Sequence, residues 1–265
     1  MTNKIWDIRK QVENKKPIIH CITNPISINQ CANLILSLGA KPIMAEHPKE
    51  VADITKASDS LMLNIGNITE VRMKSIFLSM KTAIEKEIPV LLDVVGSACS
   101  DLRRKYVFQL LNFNAPTVIK GNYSEIKALY DSEYFSPGVD ADISISLADI
   151  LIVAKKLSQK YKTVILATGK EDVITDGKRT FCVKNGIKQL TYVTGTGCMS
   201  GALTTTFMAM SNPLDAAVAA CCYFGICSEL SKTDAGMGSF MVNLMDKIST
   251  IDKEDLLKYL NLEEK

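Results

Sequence analysis

The chain has 265 residues, 47% of them hydrophobic and 23% charged, with a formal net charge of +2. That length and apolar content suffice for one sizeable buried core, so a single domain over 1–265 is the default expectation. No basic stripe points to nucleic acid, the only acidic end is the short Glu263-Glu264, and no apolar run is expected to reach the roughly 18 residues of a membrane span.

Met1 to Lys16 is a mixed charged segment around Trp6 that lacks the apolar stretch of a secretory signal, so a cytoplasmic protein is expected. Pro17 to Ile22 reads as a strand. Ile26 to Leu38 reads as a helix closed by Gly39 in a left-handed cap. Pro42 to Ala45 is a short strand, and His47 to Lys56 a helix with Pro48 in its first turn. Leu61 to Ile65 is a strand, after which Thr69 can cap a helix to about Lys86. Pro89 to Asp93 is almost fully apolar, as parallel strands covered on both faces are. Asp101 can cap a helix to about Leu111, Pro116 to Lys120 is a strand, and the next helix starts near Asn122. The stretch 131–142 has the Ser, Pro, Gly and Asp content of a mobile loop. Ile145 to Tyr161 is a helix and Thr163 to Thr168 a strand. A hairpin follows, Asp172 to Thr175 and Arg179 to Val183, turning through Asp176-Gly177. From Thr196 onward the chain reads as nearly all helix, punctuated by Pro213 and Gly236.

This alternation predicts an α/β fold: a three-layer sandwich, a mostly parallel sheet with helices on both faces and an antiparallel edge hairpin. Ligands gather at the carboxyl ends of strands in such sheets, which directs attention to the polar residues that follow each one. The eight cysteines include no C-x-x-C pair, and only His20 and His47 could join them around zinc. Reduced, buried thiols are expected.

The most informative segment is Val193-Thr194-Gly195-Thr196-Gly197-Cys198-Met199-Ser200-Gly201. It reads as a strand feeding a glycine-rich turn and then a helix. Unpaired N–H groups at a helix start attract anions, and glycines permit close approach, so Gly195, Thr196 and Gly197 could cradle a phosphoryl group. A tight turn with Gly201 serving helix packing is the plainer alternative. No G-x-x-x-x-G-K-[ST] is present, and the near dinucleotide fingerprint comes too late in the chain with its third glycine displaced. Cys198, in the first helical turn, is a place where thiols are often acidified. It could be a general base, a covalent nucleophile needing a partner such as His20, or a small residue chosen for fit. Asp93 and Glu125 could hold Mg²⁺ through water, or serve as an N-cap and a helix-dipole charge. Lys120 could pair with nucleotide phosphates or be a surface lysine. Met44 and the Asn24 region could line a small-molecule pocket, although Met in an apolar run is more often core.

Taken together, several segments resemble the hydroxyethylthiazole kinase family of the ribokinase-like superfamily. They are His20-Cys21-Ile22-Thr23-Asn24, Cys31-Ala32-Asn33 to Gly39-Ala40, Pro42-Ile43-Met44-Ala45, Leu63-Asn64-Ile65-Gly66 and Leu92-Asp93 with Val95-Gly96. Ile119-Lys120-Gly121-Asn122 to Glu125-Ile126, Ala167-Thr168-Gly169, Asp172 to Gly177, Thr194 to Gly201 and Gly238-Ser239-Phe240 complete the succession. The resemblance implies phosphorylation by ATP of the primary alcohol of 4-methyl-5-(2-hydroxyethyl)thiazole in thiamine salvage, with Mg²⁺. It implies that Met44, Gly195 and Asn24 face the thiazole and that Lys120, Thr168 and Asn122 face ATP. Asp93 and Glu125 would lie near Mg²⁺, and Cys198 would occupy the place where many ribokinase-like enzymes carry an aspartate base. A homotrimer with pockets between subunits is also implied. Related folds act as pyrimidine or pyridoxal kinases or as dehydratases of hydrated nicotinamide cofactors, and a non-catalytic nucleotide sensor is a further alternative. Two departures stand out. Asp93-Val94-Val95-Gly96 lacks the usual proline after the aspartate, which is expected to loosen that turn. Lys120 replaces a common arginine and gives up bidentate phosphate geometry.

Overall fold

A computed structural model describes residues 1–136 and 145–265. The loop expected over 131–142 therefore lies in large part outside the described residues. Along the chain run α1 (Thr2–Lys15), β1 (Ile18–Ile22), α2 (Ile28–Ser37), β2 (Lys41–Ile43), α3 (Val51–Lys56), β3 (Ser60–Asn64), α4 (Glu70–Glu85) and β4 (Val90–Asp93). Next come α5 (Asp101–Phe113), β5 (Val118–Asn122), α6 (Tyr123–Tyr130), α7 (Leu147–Tyr161), β6 (Val164–Thr168), β7 (Asp172–Thr175) and β8 (Thr180–Val183). The chain ends with α8 (Thr196–Met208), α9 (Pro213–Leu230), α10 (Met237–Thr250), α11 (Lys253–Tyr259) and β9 (Leu262–Glu264).

The strands form one sheet in the order β2-β1-β3-β4-β5-β6-β7-β8-β9. Pairings from β2 to β6 are parallel, and those from β6 to β9 are antiparallel. Alternate strand residues face opposite layers. Met62 and Leu91 join Cys31, Leu34, Phe207 and Tyr223 on one side, while Leu61, Leu63, Leu92 and Ile119 join Ile76, Val107 and Ile150 on the other. The three-layer α/β expectation holds, with the antiparallel edge at the hairpin.

Several local expectations are corrected. Within the segment Met1 to Lys16 a helix forms over Thr2–Lys15, with Ile5, Ile8 and Val12 buried on one face. The helix expected from His47 begins only at Val51, after a turn in which His47 O accepts from Glu50 N–H. Ser100 caps α5 by accepting from Arg103 N–H, while Asp101 is the first helical residue. A short 3₁₀ turn, Lys188–Tyr192, precedes the glycine segment where a strand was expected. β9 adds a further antiparallel strand beside β8. Helix α9 has the length and composition of a membrane span, despite the absence of an unbroken apolar run, but 83% of it is buried inside the protein. Helices apolar all round belong in a core, and α8 and α9 pack together there. All eight cysteines are free, seven of them buried.

Candidate active site

The chain crosses over between β1 and β3, with β2 on the far side of β1. This is the switch point at which parallel sheets open a crevice beyond their strand ends. Asn24 follows β1, Asn64 closes β3, Asp93 closes β4, Lys120 lies inside β5, and α8 brings Cys198 to the same place. The packing of α8 depends on Gly201: a Cβ there would come within 2.9 Å of Met62 Cε and 3.4 Å of Asp93 Oδ2.

One hydrogen-bonded network joins these residues. Lys120 Nζ donates to Asp93 Oδ2 at 3.1 Å, and Asn64 Nδ2 donates to the same oxygen at 3.1 Å. Asn64 Nδ2 also reaches Cys198 Sγ at 3.3 Å, and Asn24 Nδ2 reaches it at 3.2 Å. Lys120, expected after its strand and read as either a phosphate partner or a surface lysine, is a buried strand residue in register with Asp93. Burial, the largest single influence, would pull its ammonium down, but Asp93, Cys198 and Glu125 together outweigh it and hold the ammonium above its ordinary range. Burial pushes the Asp93 carboxyl up, with Lys120 and Asn64 offsetting part of the rise. The turn after Asp93 is not loose. Val94 N–H donates to Lys120 O at 2.8 Å, a bond that a proline at this position could not make.

Cys198 differs from the expectation of an acidified thiol. Burial and the nearby Asp93 charge push it up, more than Ser27, Lys120 and Asn24 pull it down. Helix-start acidification loses to desolvation here. The nucleophile reading also loses its partner. His20 is committed through Nδ1 to Thr55 Oγ1 and through Nε2 to Ala45 O, each at 2.9 Å, and burial holds its pKa down.

The glycine turn keeps its predicted character. Gly195 takes φ 89° at the N-cap and contributes no side-chain cap, so the first N–H groups of α8 lack the usual capping partner. A Cβ at Gly197 would meet nothing within 4 Å, which leaves open space above these donors. The Thr196 hydroxyl turns away to Leu190 O and Val193 O, so its side chain braces the turn.

A second cluster adjoins the first. Glu125 closes a capping box with Asn122, accepting Asn122 N–H at Oε2 while Asn122 Oδ1 accepts Glu125 N–H. Its other oxygen accepts Gly96 N–H at 2.7 Å. Burial first, then Asp93, push the Glu125 carboxyl up to about 7. Thr168 Oγ1 donates to Gly121 O at 3.4 Å, and the next residue's N–H donates to Asp172 Oδ1 at 3.0 Å. Met44 stands outside these networks, half-buried against the helical core just past β2.

The residues suit a largely hydrated Mg²⁺ better than a dry cage. Asp93 Oδ1 is buried without a hydrogen-bond partner among the described residues, whereas both Glu125 oxygens already accept backbone N–H groups. No group of three or more His, Cys, Asp or Glu able to hold a metal occurs among the described residues. Mg²⁺ keeps several waters and leans on substrate phosphates, so the free oxygen of Asp93 would meet such an ion directly or through water, and Glu125 would do so only through water.

Sequence reasoning gave no role to Asn64, the residue that joins the Asp93 pair to Cys198. Its signal was an amide closing an apolar strand.

The sequence model of the hydroxyethylthiazole kinase family matches residues 9–254. The chain belongs to that family. It is 44% identical over 265 residues to hydroxyethylthiazole kinase 2 of Clostridium botulinum (strain Langeland), spanning 97% of this chain and 98% of the relative. The solved structure of a hydroxyethylthiazole kinase from Pyrococcus horikoshii OT3 matches with a TM-score of 0.91 at 32% identity, over 99% of both chains. A Bacillus subtilis pyridoxal kinase solved as an ADP complex matches with a TM-score of 0.62 at 18% identity, over 80% of this chain and 91% of that one. The second structural likeness is one of fold alone.

Proposed function

We propose that this chain, as a single domain, transfers the γ-phosphoryl group of ATP to the primary hydroxyl of 4-methyl-5-(2-hydroxyethyl)thiazole. The observation that carries the reading is the open, uncapped start of α8 directly beside Cys198 and the buried Asp93–Lys120 pair, in a chain of this family. The thiazole sits near Met44, Asn24 and Gly195, with its hydroxyl beside Cys198. ATP lies along Thr168, Asn122 and Lys120. The hydroxyl oxygen bonds to the γ-phosphorus as the bond from that phosphorus to the β–γ bridging oxygen breaks, releasing ADP. The N–H groups of Thr196, Gly197 and Cys198 take up charge on the moving group. The thiolate form of Cys198 accepts the hydroxyl proton. Its thiol is held above its ordinary pKa, so that form is scarce near neutrality. Phosphoryl transfer through a loose transition state asks more of positioning and charge than of a strong base. Asp93 and Glu125 would hold Mg²⁺ through water, and the ion would neutralise charge on the β- and γ-phosphates. The reading includes a cytoplasmic homotrimer with pockets shared between subunits.

ADP release with the thiazole alcohol, run beside pyrimidine and pyridoxal alcohols, tests the reading. Turnover with the thiazole alone is expected. Faster turnover with either rival, or ATP binding without turnover, defeats it. Glu125→Ala should raise the Mg²⁺ needed for half-maximal rate, and an unchanged titration removes Glu125 from the metal's surroundings.

A further inference from the structure

Asn64 is fully buried at the carboxyl end of β3. Its carboxamide has one possible orientation. The backbone N–H of Gly66 can only donate, and it meets Oδ1 at 2.8 Å, so Nδ2 must face Asp93 Oδ2 and Cys198 Sγ. Asn24 is oriented in the same way, because Ser27 N–H donates to its Oδ1 at 3.2 Å and turns Nδ2 toward the sulfur. Two amide donors with fixed directions therefore converge on Sγ. Gly66 is the backing plate for both. A Cβ there would lie 2.9 Å from Asn64 Oδ1 and 3.1 Å from Asn24 Nδ2, so any side chain would displace the carboxamides. The other groups influencing Cys198 are Asp93 from β4, Lys120 from β5 and Ser27 at the start of α2, with the Cys31 thiol of α2 nearby. Among the side chains described, Asn64 alone hydrogen-bonds to both Asp93 and Cys198.

We propose that Asn64 is a positioning residue for phosphoryl transfer: its locked carboxamide, backed by Gly66, sets the place and lone-pair direction of Cys198 Sγ and ties that sulfur to the Asp93–Lys120 pair. This rests on the reading of Cys198 as the group beside the attacking hydroxyl. A sulfur aimed in this way accepts a proton without first reorienting, and a displacement of about 1 Å at such a group can cost about a hundredfold in rate. Asn64 does not itself touch substrate, since it is enclosed by protein.

The test compares the wild type, Asn64→Leu and Gly66→Ala, together with Asn64→Leu in a Cys198→Ala background. Kinetics are read by ADP release. Carbamidomethylation of Cys198 by iodoacetamide at fixed pH, followed by mass spectrometry, gives a readout that needs no turnover. Asn64→Leu should lower kcat about 10- to 100-fold and leave both KM values within about twofold. In the Cys198→Ala background the same substitution should lower kcat by less than about threefold, because the two residues act as a unit. Gly66→Ala keeps every polar group and should give the same split with a smaller fall. Cys198 should also be alkylated more slowly in both single variants, since N–H donors to sulfur favour the reactive thiolate. Equal losses in both backgrounds, or a KM increase at unchanged kcat, overturn the proposal. If near-UV circular dichroism shows Asn64→Leu unfolded, Gly66→Ala decides the matter by the same criteria. If the wild type releases no ADP with the thiazole alcohol, the functional reading fails. The alkylation rates then decide by themselves whether Asn64 sets the Cys198 sulfur: slowing in folded variants upholds that part of the claim, and unchanged rates sink it.

Discussion

Glu125→Gln isolates the energetic cost of a buried acid at the site. In the folded protein burial lifts the Glu125 carboxyl from an ordinary 4.5 to about 7. Between those values the folded state holds a proton that the unfolded chain has released, so stability falls as pH rises through the window. At about 1.4 kcal/mol per pH unit, the fall attributable to this group is about 3 kcal/mol. It is fully present as stabilisation below about pH 4.5 and lost above about pH 7. Glutamine cannot ionise, and at this position it still completes a capping box. It does turn an NH₂ toward one of the two N–H donors, Gly96 or Asn122, at a pH-independent cost of about 1–3 kcal/mol. Urea unfolding of both proteins at a series of pH values from 4.5 to 7.5 is the assay. The variant should be the less stable at the acid end, with the difference moving by about 3 kcal/mol in its favour by the neutral end. A difference that stays constant across the series would refute the burial argument.

Gly197→Val should fold as well as the wild type, within about 0.5 kcal/mol, because its side chain enters open space. It should lose about a hundredfold in kcat by filling the phosphoryl cradle, as measured by ADP release. Cys198→Asp should retain turnover, since a carboxylate accepts both the amide donors and the hydroxyl proton; a folded, substrate-binding but inactive variant would contradict the base assignment. Lys120→Met strands the buried Asp93 and should cost about 3–5 kcal/mol in urea unfolding, with most of it recovered in the Lys120→Met/Asp93→Leu pair.

Much of the fold was legible because strand and helix periodicities are local. The apolar runs of β1, β3, β4 and β6 and the Asp176-Gly177 hairpin lie within a residue or two of their predicted positions. Thr69 caps its helix as read, and Asn122 anticipates a full capping box. Where the reading failed, the cause was non-local. β9 is three residues with no pattern of their own and exists only because β8 offers an edge. The helix at 2–15 carried its apolar stripe in the sequence, but the surrounding charges masked it until α8, α9 and α11 supplied a surface to bury it against.

The amino-acid order alone determined the layered architecture, the glycine-opened helix start at Cys198 and the acids and lysine that gather at the strand ends. Those features follow from residue type and spacing within single elements. Only the tertiary structure decided the charge states and the connections. Packing α8 over the sheet buries Cys198 and raises its pKa, contrary to the helix-start rule. The register of β4 and β5 makes Lys120 a partner of Asp93 inside the protein. The parallel pairing of β1 with β3 brings Asn24 and Asn64, forty residues apart in the chain, to the same sulfur. Desolvation and hydrogen bonding depend on what surrounds a group in space, which the order of residues along the chain does not display.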